Sequence, residues 1–167
     1  MKHLKKLISF AIIFAGITTA ALAQATATAT ATIVSPILIT KSLDMNFGNV
    51  AVGTTAGTVV MTPAGARSAT GGVTLPATVG TVSAATFNVT GTAGYTYTIA
   101  IAGAPLTVTS GGNTMTVTAF TSSPTSPATL VAGNNALTVG ATLNVGASQA
   151  AGIYISASTF SVTVNYN

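Results

Sequence analysis

Gly133-Asn-Asn-Ala-Leu-Thr-Val-Gly-Ala-Thr-Leu-Asn-Val145 is the longest alternating stretch in this chain, and it decides the fold class. Leu137, Val139, Ala141, Leu143 and Val145 occupy every second position, separated by Thr, Gly, Thr and Asn. Successive side chains of a pleated strand point to opposite faces, so a period of two produces one apolar and one polar side. A helix would scatter the same residues round its cylinder. Gly133-Asn-Asn135 ahead of the run is turn chemistry and marks where the strand begins.

The same pattern extends outward from this stretch. Downstream, Ala147 to Gly152 is a connection, and Phe160-Ser-Val-Thr-Val-Asn-Tyr-Asn167 sets Phe160, Val162, Val164 and Tyr166 on one face. Upstream, Ser122 to Pro127 is a loop, and Met115 and Val117 alternate with Thr114, Thr116 and Thr118. Ser110-Gly-Gly-Asn113 is a strong turn signal after the strand Leu106 to Thr109. Phe87 to Thr90, a turn at Gly91 to Gly94, and the face Tyr95, Tyr97, Ile99 and Ile101 read as a hairpin.

Earlier still, Val73 to Leu75 and Gly80 to Ser83 are short strands, Ala64 to Gly72 is a loop, and Gly57 to Pro63 is a strand. Leu43, Met45 and Phe47 alternate after a turn at Lys41-Ser42, and Ile37 to Thr40 is a first short strand. Roughly eight to ten closely spaced strands predict an all-β, antiparallel two-sheet sandwich. No segment carries a helical stripe, and no fixed-length repeat suggests a β-helix.

Residues 1–23 have the three parts of a secretory signal. Met1-Lys-His-Leu-Lys-Lys6 is basic, Leu7 to about Ile17 is apolar or small, and Ala21-Leu-Ala23 is a small-x-small cleavage site. The apolar run falls short of a bilayer span, which argues against a membrane anchor. No later stretch is long and apolar enough to cross as a helix, so no integral membrane segment is expected after cleavage. No Cys follows the cleavage site to carry a lipid.

Residues 24–40 form an extended arm and the first strand, and 41–167 the sandwich body. In the arm, Ala25, Ala27, Ala29, Ala31 and Ile33 alternate with threonine, and Ile37 and Ile39 continue the apolar side past Pro36. Thr is restricted at χ1 in a helix, so this stretch is extended and one-sided. What it pairs with is the main functional question.

Without the leader the charge nearly vanishes. Lys2, Lys5, Lys6 and His3 all belong to the leader, and Lys41, Arg67 and Asp44 are the only charged side chains beyond it. The high sequence pI therefore implies no basic patch and no nucleic-acid partner. Beyond residue 23 there is no His, Cys or Glu. A carboxylate pair for glycoside hydrolysis and a Ser/His/Asp arrangement both lack members. Transition-metal sites lack imidazole and thiolate, and a single carboxylate makes a poor calcium site. Gly71-Gly72 and Gly111-Gly112 read as turns, since no helix follows to cradle a phosphate. These absences point away from an enzyme, a metal and a cofactor.

Three smaller features are read blandly. Tyr95 and Tyr97 share a face and more often pack in a sheet than form a sugar-stacking platform. Asn88-Val-Thr90 fits the glycosylation pattern but falls inside a strand. Lys41 and Asp44 bracket a turn, and an exposed pair there is worth about 0–1 kcal/mol.

Several stretches carry a family resemblance. Ala29 to Ile37, Leu43-Asp-Met-Asn-Phe-Gly48, Ala84 to Gly91 with Tyr95-Thr-Tyr-Thr-Ile99, and Phe160 to Asn167 resemble a secreted bacterial family of unknown function. That family is similar to spore coat protein U-like subunits and, more distantly, to chaperone–usher pilins. The resemblance implies an Ig-like, pilin-like sandwich completed by a strand from a neighbour's N-terminal arm. It also implies homologous or identical subunits as partners, a periplasmic chaperone, and a place in the periplasm, at the outer cell surface or outside the cell.

The functional expectation is therefore an exported structural subunit of a fimbria-like fibre. The arm donates Ala25, Ala27, Ala29, Ala31, Ile33, Ile37 and Ile39, and Phe160, Val162, Val164 and Tyr166 line the accepting groove. The alternative is a monomeric secreted module that folds its arm back and binds a glycan or other surface. A remote variant is ice binding through the Thr114, Thr116 and Thr118 row. The leader makes a direct prediction: N-terminal sequencing of the exported protein should begin at Gln24, and a chain that keeps Met1 to Ala23 would contradict it.

Overall fold

The computed structural model describes residues 22–167, so most of the leader lies outside the described residues. The chain divides into two units, Met1–Thr32 and Ile33–Asn167. The described part of the first unit, residues 22–32, has no strand or helix and is exposed throughout.

The second unit is all-β, and every strand pair in it is antiparallel. In chain order the strands are β1 (Leu38–Leu43), β2 (Asn46–Phe47), β3 (Ala51–Met61), β4 (Arg67–Thr74), β5 (Val82–Ser83) and β6 (Ala85–Thr90). There follow β7 (Thr96–Ala102), β8 (Leu106–Ser110), β9 (Asn113–Ser123) and β10 (Ala128–Thr129). After a single 3-10 turn at Val131–Gly133 come β11 (Asn134–Val145), β12 (Ile155–Ser156) and β13 (Ser161–Tyr166).

β11 is the spine. One of its edges pairs with β9 from Thr138 to Asn144. The other pairs with β6 from Asn134 to Val139, then with β3 from Ala141 to Val145. β6 carries β1 on its far side, β3 carries β4, and β9 leads through β8 to β12. This eight-stranded sheet curls into a half-barrel. Gly140 sits where the partner changes, and the β11–β9 register slips immediately after it. A Cβ on Gly140 would overlap the Met61 carbonyl oxygen, so only glycine permits this close approach of backbones.

The apolar stripe of β11 feeds two cores. Ala141, Leu143 and Val145 pack with Val59, Val73, Leu106 and Val117 on the concave side of the half-barrel. Leu137 packs with Val89, Tyr97, Ala128, Leu130 and Val164. This second core lies between the main sheet and a three-stranded sheet of order β10-β7-β13. The alternation read from the sequence is thus the buried face along the whole of β11, with each of its five residues at most 5% exposed.

Several expectations are corrected. The chain is all-β and antiparallel as expected, but the strands divide eight to three, with β2 and β5 as a separate two-stranded ribbon, in place of an Ig-like two-sheet sandwich. Phe87 to Ile101 is not a hairpin: β6 joins the main sheet and β7 the small one, so residues 91–95 cross between sheets. The turn signal there was real, but turn chemistry does not specify which sheet the chain re-enters.

Ala64 to Gly72 is not all loop, because β4 begins at Arg67 and pairs with β3. Its run of Ser, Ala, Thr and Gly lacks an apolar stripe, and neighbouring β3 supplies the order. Lys41-Ser42 is no turn; the two residues lie within β1, where a bulge falls between Lys41 and Leu43. Among the described residues no strand precedes Leu38, although the alternation begins at Ala25. By contrast Ser110-Gly-Gly-Asn113 closes the β8–β9 hairpin as expected, with φ of 52° and 90° at the two glycines, as a primed two-residue turn requires.

Leu137 is fully buried, so Leu137→Ala should lower stability by about 2–5 kcal/mol. Gly140→Ala should also destabilise, by about 1–3 kcal/mol, through backbone displacement without any loss of apolar surface. Urea unfolding followed by circular dichroism would measure both, and a neutral Gly140→Ala would show that the branch point tolerates a side chain.

A candidate assembly edge along the last strand

β13 pairs along its length with β7, matching Val162 to Ile101, Val164 to Ile99 and Tyr166 to Tyr97. It ends the three-stranded sheet, so among the described residues its other edge has no strand partner. In an antiparallel pair the backbone groups point alternately toward and away from the partner, which leaves part of the N–H and C=O groups of β13 facing outward. Proteins commonly protect such an edge with Lys, Pro or an inward charge. Ser161-Val-Thr-Val-Asn-Tyr166 has none of these.

The inner face of β13 is largely closed. Val164 is buried, while Val162 and Tyr166 are half-buried against the core built on Tyr97, Leu130 and Leu137. Ile37 and Ile39 pack on that core as well. Ile39 pairs with Val89 in the β1–β6 ladder, so both isoleucines belong to the body and not to a free arm. Phe160 departs from the expected set. It packs in the half-barrel core, its ring 4.7 Å from Phe120 and 6.4 Å, edge-on, from Phe87.

Tyr166 anchors the start of the body. Its hydroxyl accepts a hydrogen bond from the Thr92 backbone N–H at 2.6 Å and donates to the Ser35 carbonyl at 3.0 Å. The Ser35 N–H donates in turn to Thr92 Oγ1 at 3.0 Å. A Cβ on Gly91 would overlap this phenol, and the Tyr95 ring lies 5.6 Å from that of Tyr166. The chain is therefore held at Ser35, beside the C-terminal end of β13. Immediately upstream Ile33 is 97% exposed, an uncommon state for a large aliphatic side chain. Ala25, Ala27, Ala29 and Ala31 are also exposed.

Of the sequence-derived set, then, Ile37, Ile39, Val162, Val164 and Tyr166 converge on one core. Phe160 belongs to the other, and the residues from Ala25 to Ile33 are exposed. The Ser35–Thr92–Tyr166 network escaped sequence reading. The Tyr ahead of the final Asn and the Gly91-Thr92 pair were its signals, but nothing in their spacing joins them. Tyr95 and Tyr97 form no platform: Tyr97 is fully buried, its hydroxyl accepting from Asn135 Nδ2 at 3.2 Å. Asn88 lies within β6, paired on both sides. Lys41 and Asp44 do meet, at 2.7 Å and well exposed.

Residues 37–166 match a family described as a domain of unknown function, DUF4402. The chain belongs to the DUF4402 family. The matched region coincides with the β-sheet body and leaves the Ala/Thr segment outside it. No curated protein and no solved structure matches the chain.

Tyr166→Phe removes one acceptor and one donor while keeping the ring. The cost should be about 1–2 kcal/mol, because the Thr92 N–H is left without its partner. Thermal unfolding would report the loss, and hydrogen exchange should show faster exchange at Thr92 and Ser35. An unchanged Thr92 exchange rate would remove the phenol from the anchoring role.

Proposed function

We propose that this DUF4402 protein is an exported structural subunit that assembles by strand addition. The segment from Gln24 to about Ser35 of one copy lies along the free edge of β13 in the next. The observation that carries the reading is that edge, which among the described residues has no strand partner and carries no charge or Pro, together with a one-sided Ala/Thr segment that lies in no strand. β-Strand addition joins such partners through backbone hydrogen bonds, with alternate side chains adding fit. In this reading the small sheet and the β1-β6-β11-β9 part of the main sheet are the two layers of a pilin-like sandwich short of one strand. The leader and the near-absence of charge support export and self-association, since little repulsion keeps copies apart.

The Ala-rich composition of the arm fits the state of the core. Tyr97, Leu130 and Leu137 are already fully buried, so a strand along β13 meets no deep pocket there and needs only small side chains. Apolar burial contributes about 25 cal/mol per Å2, so alanines add little, and most of the gain comes from satisfying backbone groups. Ile33 is the one large side chain available to the contact.

A neighbour's arm suits the edge better than the chain's own. With Ser35 held beside the C-terminal end of β13, the chain's own arm, folded back along that strand, would run parallel to it. Every pair in the body is antiparallel, and parallel pairing is slightly weaker. An arm from another copy is free to enter in the antiparallel sense.

Size-exclusion chromatography of the mature protein should show oligomers. Deleting Gln24 to Ser35 should leave a non-assembling body, and the same segment added as a peptide should bind it and raise its Tm. A truncated protein that is fully stable, monomeric and indifferent to the peptide would turn the arm into a tether and favour a monomeric binding module.

A further inference from the structure

The concave side of the half-barrel holds a second, separate feature: a cleft of about 1250 Å3. Val108 and Met115 on the β8–β9 hairpin, Val117, and Val145 of β11 form its floor, and Phe47 faces them from β2. Val108, Met115 and Phe47 remain only half-buried at the edge of the core. Ile153 and Ile155 stand at the rim with 81% and 66% of their surface in water. Ligand sites are commonly apolar concavities of about 300–1,000 Å3, so this one has room for a sizeable guest.

Some polar groups around the cleft are committed to one another, while Asn46, Thr81, Ser156 and Thr159 add polar positions to its wall. Lys41 and Asp44 form their own ion pair. Gln149 Nε2 donates to the Tyr154 hydroxyl at 2.8 Å, and that hydroxyl donates to the Ala150 carbonyl at 2.8 Å. Lys41 and Asp44 neutralise each other, so among the described residues the cleft offers no unpaired charge to select a charged head. The floor instead offers branched aliphatic residues and a methionine, whose flexible thioether adapts to irregular apolar shapes.

We infer that this cleft is a binding site for an uncharged apolar chain, a small hydrophobic molecule taken up from solution. The exposed Ile153 and Ile155 would close over the guest from the rim, which gives two large apolar side chains held in water a use. The chain's own arm is a poor occupant, because a row of alanine methyl groups would leave most of the volume empty. The site is independent of assembly at β13.

Titration of the mature protein with N-phenyl-1-naphthylamine tests this. Fluorescence should rise, shift to the blue and saturate at one probe per chain, and 1-dodecanol should displace the probe. Val108→Trp should abolish binding by filling the floor. Ile153→Ser, at an exposed position, should weaken it roughly tenfold with an unchanged Tm, as loss of one branched side chain from the contact predicts. If Val108→Trp does not fold, the double variant Ile153→Ser/Ile155→Ser serves in its place.

Absence of saturable binding, or equal affinity in folded variants and the parent, would overturn the inference. So would a probe that binds only after Gln24 to Ser35 is deleted, since the arm would then be the occupant. Probe binding that persists in a non-assembling mature protein would support the cleft while removing the assembly reading.

Discussion

Backbone hydrogen bonding along both edges of β11 is the constraint on which the rest depends. Three strands, β6, β3 and β9, take their register from this one strand, and through them β1, β4, β8 and β12. A buried strand cannot leave N–H or C=O groups unpaired without a cost comparable to a lost hydrogen bond. Once Leu137 to Val145 are buried, both edges must therefore be filled. A single partner could continue along one edge, but here the partner changes at Gly140, where the Met61 backbone comes too close for any side chain. On either side of that exchange the buried residues of β11 belong to different cores, Leu137 to one and Ala141, Leu143 and Val145 to the other.

The two cores differ in completeness, and the difference places both candidate sites. The core under β13 contains Tyr97, Leu130 and Leu137 at zero exposure, so its remaining deficiency is in backbone pairing. The half-barrel core has fully covered Val59 beside half-buried Val108, Met115, Phe47 and Phe160, so its deficiency is in volume. In the proposed readings a strand would meet the first need and an apolar guest the second. Charge contributes little to either, since Lys41 pairs with Asp44 and Arg67 donates to the backbone carbonyls of Phe47 and Asn49.

Tyr166 links the two ends of the body. Its ring packs on the core while its hydroxyl is shared between Thr92 and Ser35, residues far apart in sequence. Among the described residues those upstream of Ser35 lie in no strand, whereas the strands begin three residues downstream at Leu38. The DUF4402 match begins at Ile37, two residues past the clamped carbonyl.

That the chain is all-β, and which faces of its strands are buried, is legible in the residues alone, because a period of two is a local property that survives any tertiary arrangement. Leu137 to Val145, Met115 with Val117, and Val162 with Val164 turn inward as their spacing requires. The residues alone also give the short list of charged side chains beyond residue 23, Lys41, Asp44 and Arg67, since a census needs no coordinates. Tertiary structure alone decided how the strands are shared between sheets. The turn at Gly91 to Gly94 carries the same residues whether the chain returns to pair with β6 or crosses to another sheet, and only the competition for the edges of β11 resolves it. The same holds for Phe160, whose alternation with Val162 places it on a face but cannot show that Phe120 waits in the other core. The clamp at Tyr166 is likewise invisible locally, for its three members meet only after both sheets have formed.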